Sequence, residues 1–105
     1  MAKRRLLTEV TPLRHRVVLT RDRWREIVRF KHPALAGHEA EVRDCLRDPA
    51  VIRASEKDPD VHLYYRGAAG RYVCLVVGGE DVQARFVITA YFTDRLKKGR
   101  ELWTK

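Results

Sequence analysis

Tyr72-Val73-Cys74-Leu75-Val76-Val77 is an unbroken apolar run, and Arg85-Phe86-Val87-Ile88-Thr89-Ala90-Tyr91-Phe92-Thr93 is the β-forming stretch that follows it. Gly78-Gly79-Glu80-Asp81 stands between the two and reads as a turn. A short apolar run bounded by turn residues predicts a central strand covered on both faces. In the later stretch Phe86, Ile88, Ala90 and Phe92 fall on one side of a strand, and Val87, Thr89, Tyr91 and Thr93 on the other. Two strands joined by a short turn are antiparallel neighbours.

Working outward, 62–66 alternates as a strand, with Leu63 and Tyr65 facing one way and Tyr64 the other. Gly67-Ala68-Ala69-Gly70 turns it into the central run. Val51 and Ile52 form a short edge segment or lead into that strand, and Leu102 and Trp103 fasten the C-terminus onto the domain. On the N-terminal side, Thr20 is a good N-cap, and Trp24, Ile27 and Val28 recur at helical spacing. A helix is expected over 20–32, ended by Pro33 because the residue before proline avoids the α region. A second helix over about 37–47 would bury Val42, Cys45 and Leu46 and stop at Asp48-Pro49. Arg14 to Leu19 reads as a strand, and residues 1–12, basic and ending in Pro12, as a mobile arm preceding a single domain over 13–105.

The fold class expected from this order is α+β: two N-terminal helices packed on one face of a four- to five-stranded antiparallel sheet. Trp24, Ile27, Val28, Val42 and Leu46 would meet Phe86, Ile88 and Ala90 in one core, and the second sheet face would be left open.

The 105 residues are enough for one domain, and an apolar share of 45% is that of an ordinary globular chain. No apolar run approaches the roughly 20 residues of a membrane helix, and no apolar stretch follows the basic N-terminus as a secretory signal would require. A cytoplasmic protein without membrane contact is expected. Lys and Arg number 22 against 14 Asp and Glu, a net charge of +8. Most of the cations are Arg, whose planar fork suits phosphate. Such a surface attracts polyanions, so RNA is the expected partner, with solubility as the plainer reading of the charge. Cys45 and Cys74 form no C-x-x-C motif and read as core residues. His32 and His38 lack the i, i+4 spacing of a zinc pair, Asp58-Pro59-Asp60-Val61-His62 reads as a solvated loop, and no phosphate or dinucleotide fingerprint is present. No metal or cofactor is expected.

His32 stands beside Lys31 at the expected end of the first helix. There it either interacts with the helix dipole or serves as a general acid or base near neutral pH. Thr89, Tyr91 and Thr93 share one strand face, either as ordinary β-formers or as a polar aromatic platform for phosphate and base, which Tyr65 would extend. Arg53 is placed to reach a phosphate or to lie solvated on the surface. Arg21, Arg25 and Arg29 form a ridge along the first helix that would help capture RNA together with Lys31 and Arg66, or act as a solvated charged face.

These segments form an ordered set: Val17–Leu19, Thr20-Arg21-Asp22-Arg23-Trp24, Lys31-His32-Pro33, Asp48-Pro49-Ala50-Val51-Ile52-Arg53, Tyr64-Tyr65-Arg66 and Val87-Ile88-Thr89-Ala90-Tyr91. Together they resemble the phage-associated nuclease domains grouped with barnase, EndoU, tRNase colicins and RelE, over roughly residues 17–103. The resemblance implies a barnase- or RelE-like fold and metal-independent endoribonuclease activity, with attack of the ribose 2′-hydroxyl leaving 2′,3′-cyclic phosphate ends. It carries catalytic roles onto His32 from the His-Pro step, Arg53 from the Pro-x-x-Ile-Arg step, and Thr89 and Tyr91 from the Thr-Ala-Tyr step. Ala34 stands where such domains often have Glu, so no acidic partner follows the His-Pro step. Three functions compete: an RNase, either a phage-associated nuclease or a toxin acting on tRNA or mRNA and paired with an acidic antitoxin or immunity protein; a non-catalytic nucleic-acid-binding module; and an interaction protein whose charge serves solubility.

Overall fold

A four-strand antiparallel meander forms the centre of the sheet in the computed structural model, which describes residues 4–68 and 70–105. Its strands are β3 (Val51–Ser55), β4 (His62–Ala68), β5 (Arg71–Gly78) and β6 (Arg85–Thr93). Turns lie at both expected places but are shifted: Gly67 and Ala68 still belong to β4, and Gly78 to β5. Gly70 and Gly79 take left-handed backbone conformations open to glycine at no steric cost, with φ of +83° and +112°. Ala69, within the first of these turns, lies outside the described residues.

The rest of the sheet corrects the expected fold. Among the described residues it has seven strands, not four or five, and it is mixed rather than antiparallel, in the order β1 (Arg5–Val10), β2 (Arg16–Thr20), β6, β5, β4, β3, β7 (Gly99–Thr104). Strand β1 (Arg5–Val10) pairs antiparallel with β2 (Arg16–Thr20), so half of the segment expected as a mobile arm is an edge strand. The first three residues of that arm lie outside the described residues. Strand β2 joins β6 in parallel through Val17 opposite Arg85 and Val18 opposite Phe86. The short-turn argument for antiparallel pairing holds only for consecutive strands, and both helices and the meander separate these two in the chain. Strand β7 (Gly99–Thr104) closes the far side against β3, which is therefore an interior strand rather than an edge.

The helical portion is also shorter than expected. Helix α1 covers only Arg21–Glu26, and the Thr20 hydroxyl caps it by accepting from the Arg23 N–H at 3.1 Å. The chain then widens into a π-helical turn, Ile27–Lys31, closed by the His32 N–H donating to the Ile27 carbonyl at 2.7 Å. Pro33 keeps His32 out of the α region (φ −139°, ψ 73°), and a 3₁₀ turn, Pro33–Leu35, follows. Helix α2 runs Glu39–Arg47 and buries Val42, Cys45 and Leu46.

Both helical segments pack on one sheet face. Trp24, Ile27, Val42, Cys45 and Leu46 bury themselves against Tyr64, Leu75, Val87 and Ala90 in the main core. Of the expected trio Phe86, Ile88 and Ala90, only Ala90 belongs to it: Phe86 is 45% exposed and Ile88 is half-buried. A β-bulge is the reason. Val77 stands opposite Val87 while its neighbour Val76 stands opposite Thr89, so Ile88 is an extra residue. One inserted residue switches every side chain beyond it to the opposite face. Val87 and Ala90, three positions apart, consequently face the same core.

The second face carries a smaller cluster of Val51, Leu63, Tyr65 and Cys74, with Leu96 packed against it. It is not the open face expected, because the segment between β6 and β7 folds back over part of it. Both cysteines are buried free thiols, and burial pushes both thiols up. No helix among the described residues is long and apolar enough to cross a membrane.

Candidate active site on the second sheet face

Two rows of side chains cross this face. One runs Arg53, Leu63, Val76, Thr89 and the next Val51, Tyr65, Cys74, Tyr91, each residue opposite the one before it on the neighbouring strand. Arg53, Thr89 and Tyr91 thus share a face, as the alternation of their strands requires. Arg53 and Thr89 are nevertheless three strand spacings apart, roughly 14 Å.

His32 reaches the same region from the other direction. Among the described residues β2 pairs with β6 only at its first two positions, and beyond Phe86 the turns that end the first helical segment lie beside β6. The His32 ring sits 5.6 Å from the Tyr91 ring, centroid to centroid, with 39° between the planes. His32 and Tyr91 therefore meet.

Lys97 links the remaining members. Its backbone N–H donates to the Tyr65 hydroxyl at 3.0 Å, and its carbonyl accepts from the Arg53 guanidinium at 2.9 Å. Its ammonium lies 5.5 Å from the Tyr91 ring centroid, within cation–π range. The Thr93 hydroxyl, accepting from the Arg95 N–H at 3.1 Å, turns the chain back so that this approach is made. Lys97 and Lys98 also line a shallow depression of about 280 Å³ with Lys57, Ser55, Glu56 and Leu63. Sequence reading passed over Lys97. The available signal was the pair Lys97-Lys98 directly after an aromatic strand and before Gly99.

Thr89 Oγ1 and Arg53 Nε are buried on this face without a hydrogen-bonding partner among the described residues, and the buried Tyr91 hydroxyl lies beside the Cys74 thiol. Buried polar atoms are rarely left unpaired. Burial pushes the Tyr65 phenol up to about 12, and burial with the adjacent Cys74 thiol pushes the Tyr91 phenol higher still. Both phenols are therefore neutral at ordinary pH. Tyr91 can donate a hydrogen bond or stack, but it is no phenolate base.

The other expected binding residues divide. Tyr65 is fully buried beneath Lys97, so it positions the lysine and does not extend a platform to a ligand. Arg66 projects to the opposite face, where it donates to the Asp48 carboxylate at 3.0 Å, away from this site. Arg21, Arg25, Arg29 and Lys31 are exposed. They do not form one ridge: the π turn after Glu26 breaks the four-residue register before Arg29. Arg25 lies 4.0 Å from Asp22, and Arg29 lies over the Phe30 ring.

The described residues hold no group of three or more His, Cys, Asp or Glu side chains arranged to bind a metal ion. The sequence matches no protein-family model and no curated protein, and the fold matches no solved structure.

Proposed function

We propose that this chain is a metal-independent endoribonuclease-type domain. The observation that carries the reading is the meeting of His32 with Tyr91, whose ring the Lys97 ammonium also approaches, on a protein with net charge +8. An imidazole is the side chain suited to moving a proton at neutral pH, and a nearby ammonium is suited to a phosphate whose charge grows. In the reaction the ribose 2′-oxygen bonds to phosphorus and the bond from phosphorus to the 5′-oxygen breaks. His32 accepts the 2′-hydroxyl proton and releases it to water, and the 5′-oxygen takes a proton from water as it leaves as a hydroxyl. The products carry 2′,3′-cyclic phosphate and 5′-hydroxyl ends. Thr89 and Tyr91, whose hydroxyls are enclosed, line the site from beneath and position the side chains that meet the phosphate and the base.

The distances move the charge-stabilising role from Arg53 to Lys97. The Arg53 guanidinium is held on the Lys97 carbonyl, three strands from Thr89, and acts by fastening the lysine. The chain's likeness to phage-associated nuclease domains supports the activity through residues alone, since the sheet differs from the one that likeness implied. A toxin with an acidic antitoxin or immunity protein in the cytoplasm fits the charge.

A second reading, a nucleic-acid-binding module without catalysis, is favoured by the commitment of Arg53 to a backbone carbonyl. Incubation of the purified protein with total RNA and with tRNA, with and without EDTA, separates the two. The nuclease reading expects cleavage that EDTA leaves unchanged, cyclic phosphate ends, and a loss on the order of 100-fold in His32→Ala. Equal activity in His32→Ala removes His32 from the mechanism. Salt-sensitive binding with no cleavage supports the second reading.

A further inference from the structure

Phe30 is 73% exposed, the most exposed of the large apolar side chains among the described residues. It contributes nothing to either core cluster. The π turn that carries it gives one aromatic ring to solvent between Arg29 and Lys31, two positions before His32. The Arg29 guanidinium carbon lies 5.3 Å from the ring centroid, so a cation already rests against the ring.

We infer that Phe30, with Arg29 beside it, is a stacking platform for an unpaired RNA base; this rests on the RNA reading above. An exposed aromatic flanked by cations suits a ligand that presents a flat π face and a phosphate together. A nucleotide does both, and stacking is tolerant of base identity because every base has a π face. The Cα atoms of Phe30 and His32 can be at most roughly 7 Å apart, the reach of two residues. A nucleotide is long enough to bridge that separation, with its base on Phe30 and its phosphate toward His32. Stacking on the neighbouring base pairs hides both faces of a base inside a duplex, so the platform selects single-stranded over duplex RNA. The π turn matters here: an α-helical continuation would aim residue 30 differently relative to β6.

The test uses a short fluorescein-labelled RNA, uncleavable because each 2′-oxygen is methylated, presented single-stranded or annealed to its complement. Binding to wild type, Phe30→Ala and Phe30→Tyr is followed by fluorescence anisotropy across a salt series. The platform expects Phe30→Ala to weaken single-strand binding about tenfold. Its duplex binding and its salt slope are unchanged, since no charge is lost. Phe30→Tyr, which keeps a ring, binds as wild type does. Melting temperatures should coincide, because the side chain is outside both cores. Equal single-strand affinity in Phe30→Ala overturns the platform while leaving the RNA reading intact. So does an equal loss on single strand and duplex, or a wild-type dimer that Phe30→Ala converts to monomer, which would make the ring a contact between copies. If wild type binds neither RNA in a salt-sensitive way, the RNA reading itself falls and the platform falls with it.

Discussion

The rings of His32 and Tyr91 face each other at 5.6 Å although they belong to opposite ends of the chain's order, one to a turn before the second helix and the other to the sixth strand. The Tyr91 ring is the imidazole's aromatic neighbour, and its hydroxyl is buried beside the Cys74 thiol. Two substitutions separate these parts. Tyr91→Phe removes only the weak hydroxyl–thiol contact and should leave the melting temperature nearly unchanged. Tyr91→Leu removes the ring that His32 rests on. Misplacement of about 1 Å in a reacting group costs on the order of 100-fold, and RNA cleavage should fall by about that much. Unchanged cleavage in Tyr91→Leu would mean the ring does not orient His32.

Acid should weaken the fold in a window above the carboxylate range. The His62 imidazole stacks on His15 at 5.6 Å. Burial lowers its pKa to about 4, helped by the positive charge of Arg85, by His15 and by Arg100, and opposed by Asp60. His15 is lowered as well, by burial and Arg85. An unfolded histidine takes a proton near 6.5 while folded His62 refuses it until about 4, so the unfolded state binds more protons between those values. Stability is complete above 6.5 and declines as pH falls toward 4. Thermal melts from pH 7.5 to 4.5 should show a falling midpoint, with a shallower fall in His62→Gln. Superimposable slopes would exclude His62 as the cause. The lowered carboxylates of Asp48 and Glu39 act in the same direction, chiefly below this window.

The two helices are tied by one polar bond. The Trp24 indole N–H donates to the Glu39 carboxylate at 2.9 Å, joining α1 to the first turn of α2. A double-mutant cycle of Trp24→Phe and Glu39→Ala, read by urea denaturation, should give a coupling of about 1 kcal/mol. Glu39→Gln keeps an acceptor and should cost less than Glu39→Ala. Additive losses would assign the effect of Trp24 to packing alone.

The bulge at Ile88 orders the effects of charge on β6. Val87→Asp puts a carboxylate against Trp24 and Val77 in the main core and should abolish cooperative unfolding. Ile88→Asp places it at the half-buried extra residue and should leave a folded, less stable domain. Equal damage from both, measured by circular dichroism melts, would contradict the register.

Local chemistry was enough to determine the meander, the turns at Gly70 and Gly79, the Thr20 cap, the core faces of both helices and the burial of both cysteines, because each follows from neighbours within a few residues. The common face of Thr89 and Tyr91 was legible for the same reason, whereas Arg53 joined it only through the pairing of β3 with β4. Only the tertiary structure decided the parallel joining of β2 to β6, the return of β7 to β3, and the π turn that carries His32 to Tyr91. A strand pairing between distant segments depends on which edges the rest of the chain leaves free, and no local pattern encodes that. The bulge is the sharpest case. Alternation along Arg85–Thr93 assumes an unbroken period of two, whereas the pairing of Val76 with Thr89 and Val77 with Val87 inserts one residue. Lys97 became a site residue through the same kind of closure, since its N–H, carbonyl and ammonium are each held by a different strand of the folded sheet.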